Sequence, residues 1–141
     1  MKTKLLAVAV MALFLVGTAV RAADDTTPLE DAMTTLNKAL KTVKAQVEDP
    51  SKNADSLKLV AEIEKQALIA KGFEPAKAKS VPAAEKAKFV AAYRVKMTEL
   101  MTEILKLEKA LLENKNDAAA ASVKLLYEMK TAGHKVFQDD K

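Results

Sequence analysis

The chain has 141 residues, with no Cys, one His, three Gly, four Pro and only 4% aromatics. That composition excludes disulfide frameworks, zinc ribbons, thiol nucleophiles, Cys-ligated clusters and multi-His metal centres, and it disfavours β-sandwiches and barrels. The net charge of +4 at pH 7 invites a nucleic-acid reading, but its first residues decide whether that reading survives.

Met1–Lys4 carries two lysines, Leu5–Val16 is an unbroken run of twelve apolar residues, and Val20-Arg21-Ala22 places small residues at −3 and −1. This is the three-part layout of a secretory signal peptide, cleaved after Ala22. Twelve helical residues span only ~18 Å, short of a ~30 Å hydrocarbon core, and no Cys follows for a lipid anchor. Cleavage removes Lys2, Lys4 and Arg21, so 20 basic residues face 19 acidic ones and the charge falls to +1. No block of Lys and Arg interleaved with aromatics remains, and the nucleic-acid reading loses its support.

Residues 23–141 then read as one domain of four helical segments. The first opens with Thr27-Pro28-Leu29-Glu30, a capping box with Pro at the first helical position. Its apolar stripe is Leu29, Met33, Leu36, Leu40, Val43 and Val47, and Asp49-Pro50 ends it. The second runs from about Asp55 to Lys71 on Leu57, Val60, Ile63, Ala67 and Ala70, with Gly72 as C-cap. An irregular connection holds Pro75 and Pro82.

The third segment runs from near Pro82 to about Asn114, with Val90, Tyr93, Met97, Leu100, Ile104, Leu107 and Leu111 on one face. At ~33 residues and roughly 50 Å it outreaches the first, at ~33 Å, so its first turns are expected to be a separate piece or to project. Asn116 caps the fourth, Asp117–Gln138, which carries Ala119, Val123, Leu126 and Phe137. With no strand pattern, this predicts an all-α fold, an up-down-up-down antiparallel four-helix bundle crossing at near +20°.

No P-loop, GxGxxG, GxSxG or HExxH occurs, and the carboxylates sit among lysines on polar faces, so an enzyme is not expected. The topology instead brings Met33, one turn into the first helix, to the bundle end that holds His134. Phe73, Phe89, Tyr93 and Phe137 fall at that end too, while Tyr127 sits further up. A large planar apolar ligand such as haem would suit this group, with a His nitrogen and a Met sulfur as axial ligands. Spacing alone leaves the alternatives open: Met33 as core filler, and His134 as a residue favoured by the helix dipole.

The stretch Leu29-Glu30-Asp31-Ala32-Met33-Thr34-Thr35-Leu36-Asn37 resembles the opening of the soluble periplasmic cytochrome b562 family. The end is similar as well: an Ala-rich start to the fourth helix, a Leu, and a single His two turns later. The resemblance covers the chain from Ala23 to Lys141 and implies a periplasmic electron-transfer protein. It implies one non-covalent haem b, with Met33 and His134 as the iron ligands.

By the same resemblance Tyr93 and Met97 fall where haem-packing aromatics stand, Met97 departing from that character, and Lys130 stands where an Arg is usual and would face a propionate. Gly133 loosens the last turn, and Gln138-Asp139-Asp140-Lys141 is an acidic tail where a basic one would suit. The missing CxxCH excludes covalent attachment. The expected partners are haem and an unidentified redox protein, the expected state a monomer without a membrane anchor. With a charge near zero, no dominant patch gives the redox partner's sign.

Two other readings stay open. One is a haem-free periplasmic helical bundle acting as an interaction or stress protein. The other is a Cu(I) carrier using Met33 and His134 with Met101 or Met129, disfavoured because Met101 and Met129 are expected elsewhere along the helices.

Overall fold

A computed structural model describes residues 27–138; the expected signal peptide and residues 139–141 of the acidic tail lie outside them. Four helices follow one another: α1 (Pro28–Gln46), α2 (Asn53–Lys71), α3 (Ala83–Leu112) and α4 (Asn116–Phe137). Short 3₁₀ turns at Pro50–Lys52 and Ala76–Lys79 lie in the first two connections. There is no strand among the described residues. Consecutive helices pack side by side and α4 returns to α1, which makes the expected up-down-up-down bundle. The α1–α4 seam is its loosest contact.

The start of α1 follows the sequence closely. The Glu30 amide donates to Thr27 Oγ1 at 3.2 Å and the Thr27 amide to Glu30 Oε2 at 2.8 Å, the two halves of a capping box. The stripes form one core: Val43, Val60, Ile63, Ile104, Leu107, Leu111 and Leu126 are essentially inaccessible. Leu29, Met33 and Leu57 are only half-buried, packed against the edge of that core, and the first two also border a cavity.

Two expectations need correction, the split third helix and the Asn116 cap. The third helix is not split. It runs unbroken for 30 residues against 19 for α1; Lys86 pairs with Glu74 of the connection at 3.0 Å, while Ala83, Ala84 and Glu85 at its start stay exposed.

Gly72 does cap α2, but in right-handed backbone, with φ −73°. The left-handed cap is Asn114 after α3, with φ 55°, where the Lys115 amide reaches the Ala110 carbonyl at 2.8 Å and the Asn114 amide the Leu111 carbonyl at 3.1 Å.

Asn116 does not cap α4 with its side chain; it is the first helical residue. Its Nδ2 donates to the Val47 carbonyl at 2.6 Å and to Asn53 Oδ1 at 2.8 Å. Asn53, 6% exposed, donates in turn to Asn116 Oδ1 at 3.2 Å and Asn114 Oδ1 at 3.0 Å. Two asparagines thus clamp the end of α1, the start of α2 and the α3–α4 turn, because each buried amide must find partners.

Candidate functional site

At the opposite end the bundle opens into a cavity of about 600 Å³, within the range of small-molecule and cofactor sites. Met33, Tyr93, Met97, Lys130 and His134 all border it. The floor is apolar, made of Leu36, Leu40, Ile63, Leu100, Ile104 and Leu126. Beyond Leu126, and beside Met129, α4 lines the cavity with Lys130, Gly133 and His134 rather than with a continuous apolar stripe. Each of these three is half-buried, and close packing resumes only at Phe137.

The aromatic cluster forms in part. Phe137 packs against Phe89 with centroids 5.3 Å apart and against Tyr93 at 5.5 Å, edge-on. Tyr93 donates its hydroxyl to the Ala70 carbonyl at 2.8 Å, and burial pushes that hydroxyl's pKa up to about 12. Its polar end is thereby committed to α2, while Tyr93 borders the cavity. Phe73 does not join: it is 38% exposed and lies outside the lining. Tyr127 faces the α1–α4 seam, with Lys44 Nζ 4.6 Å and Lys130 Nζ 5.7 Å from its ring centroid.

Burial, and secondarily the nearby Lys130 ammonium, holds the His134 imidazole below its ordinary pKa of 6.5. A neutral imidazole keeps a ring lone pair for a metal ion. No group of three or more His, Cys, Asp and Glu suited to a metal ion occurs among the described residues; at this cavity Met33 offers a thioether and His134 an imidazole.

Two features suit a large flat occupant. Asn37 Oδ1 is buried with no hydrogen-bond partner, and Asn37 borders the cavity; a species or water held there would complete it. A Cβ at Gly133 would meet nothing within 4 Å, so glycine leaves room beside His134. A soft sulfur and an imidazole are one donor pair that electron-transfer haems use, so the residues present fit that group.

The cavity also recruits residues that the sequence did not place there. Met129 borders it, contrary to the expectation that it lies elsewhere; Met101 does stay outside. Its position three residues after Leu126 was a periodic signal for the same face. Asn37, four residues after Met33, carried a comparable signal, a polar side chain beside an apolar stripe. Lys96 and Glu99 also border the opening, and nothing in apolar periodicity marks them.

A family model for cytochrome b562 matches residues 28–138, a range that takes in all four helices. A search of curated proteins finds no match.

Proposed function

The chain belongs to the cytochrome b562 family, and on that premise we propose that it is a periplasmic electron carrier holding one non-covalent haem b through Met33 and His134. The observation that carries the reading is that these two residues, from opposite ends of the chain, border one apolar cavity beside Tyr93 and Phe137. Bound haem would supply a one-electron iron couple.

The chain's own residues do the rest. Met33 offers a sulfur and His134 a neutral nitrogen. Both donors come from the protein, so no position is left for substrate chemistry, which suits a carrier rather than an enzyme. Met97 and the Tyr93 ring supply polarizable and aromatic packing. The apolar floor excludes water, which disfavours added charge and, with the thioether, favours a higher potential. Lys130 offers a point charge at the rim. The amino-terminal layout supports export, and the absence of Cys fits attachment without thioether bonds.

The test is optical. Haemin added anaerobically to the protein without its signal peptide is expected to give a low-spin Soret band, with sharp α and β bands on reduction. The Met33→Ala, His134→Ala double variant is expected to lose both. Equal binding by wild type and double variant, or no Soret change at all, would sink the proposal and favour the haem-free bundle.

A further inference from the structure

The cavity has a polar lip as well as an apolar floor. A ligand carrying carboxylates must place them at that lip, since an unpaired charge against the apolar floor is strongly unfavourable. Two lysines border the opening, Lys130 from α4 and Lys96 from α3. Lys96 directly precedes Met97, which is buried and borders the same cavity, so this stretch of α3 forms both wall and lip. Val95, 56% exposed, borders it from the outer side.

Lys96 already holds a carboxylate: its Nζ donates to Glu99 Oε2 at 2.7 Å, one helical turn on, and Glu99 borders the opening too. The pair is well exposed, 61% and 47% at the two side chains. Exposed helix pairs of this kind are weak and exchange partners readily. The ammonium sits on a flexible four-carbon stem with three donors, so it can turn to a carboxylate arriving at the lip without backbone movement.

Resting on the haem reading above, we propose that Lys96 is a carboxylate-binding residue of this site, exchanging Glu99 for a haem propionate and so setting which edge of the ligand faces solvent. The competition with Glu99 makes Glu99 a brake on that binding. Lys130, leaning on the Tyr127 ring, serves from the α4 side.

The test compares haemin with iron protoporphyrin IX dimethyl ester, whose carboxylates are capped. Affinities are read from Soret titrations of the protein without its signal peptide, and thermal unfolding checks that each variant is folded. Lys96→Gln is expected to weaken haemin binding about threefold to tenfold and to leave the ester within about twofold, the scale of one charge-assisted contact at a wet site. Glu99→Gln, which frees Lys96, is expected to strengthen haemin binding about twofold and leave the ester unchanged. Lys96→Gln weakening both ligands alike, or neither, overturns this inference while the haem reading stands. A wild type that binds neither ligand overturns both.

Discussion

The protonation of His134 bears on both the fold and the site. Its folded pKa is lowered, first by burial and then by Lys130. The unfolded chain therefore takes up a proton below about pH 6.5 before the folded protein does. Stability from this residue is intact above that pH and is lost as pH falls through the lowered folded value. Apo wild type is expected to lose unfolding midpoint more steeply below pH 6.5 than His134→Gln, which the difference between the two thermal melts reads directly. Haem affinity is expected to follow the same group, level at and above pH 6.5 and falling once the imidazole protonates, as Soret titrations across pH will report.

Residue identity was legible here to different depths. Met33 stood out as a thioether on a stripe and His134 as the chain's one imidazole, whereas Lys96 and Asn37 looked like ordinary polar positions. Only the placement of their backbones beside a gap in the core gives those two a role.

Among the elements, α4 is built for access rather than for packing. Gly133 lies inside it with ordinary negative φ and open space where a Cβ would go. Gly133→Ala is therefore expected to stabilise the apo protein by about 0.5–1 kcal/mol, by removing unfolded-state freedom, as urea unfolding will measure. The gain is expected to be accompanied by weaker haem binding, because the added methyl enters the cavity.

The far end is held by the asparagine clamp. Asn53→Ala leaves Asn116 only its bond to the Val47 carbonyl and removes the partner of its Oδ1, and a loss of about 2 kcal/mol in urea unfolding is expected. Helix boundaries followed from caps and prolines to within a residue or two, since those signals act over one turn. The clamp was invisible because Asn53 and Asn116 are 63 residues apart and Asn116 by itself read as a helix cap.

For the whole molecule, the loose α1–α4 seam and the cavity beside it mean that the bundle is closed least where Met33 and His134 would share a ligand. Haem joining α1 to α4 is expected to stabilise the protein by about 2.7 kcal/mol at a hundredfold excess over its Kd. That is a rise in melting temperature on the order of 10–20 °C for a domain this size, and the Met33→Ala, His134→Ala variant is expected to show almost none of it. Without haem the core still spans all four helices from Leu36 to Leu126, so the apo protein is expected to fold cooperatively, with hydrogen exchange fastest at the start of α1 and the end of α4.

The sequence by itself determined the helices, their order and the apolar face of each, because capping, proline placement and 3.6-residue periodicity are local properties of the chain. It also limited the donors, since one His and no Cys leave few ligand sets. Only the tertiary structure decided that the inward face of α4 is left underfilled after Leu126. It alone brought Met129, Asn37 and Lys96 to the same cavity as Met33 and His134, and turned Phe73 outward. A cavity is a mismatch between four helices packed together, and no single helix carries a record of it.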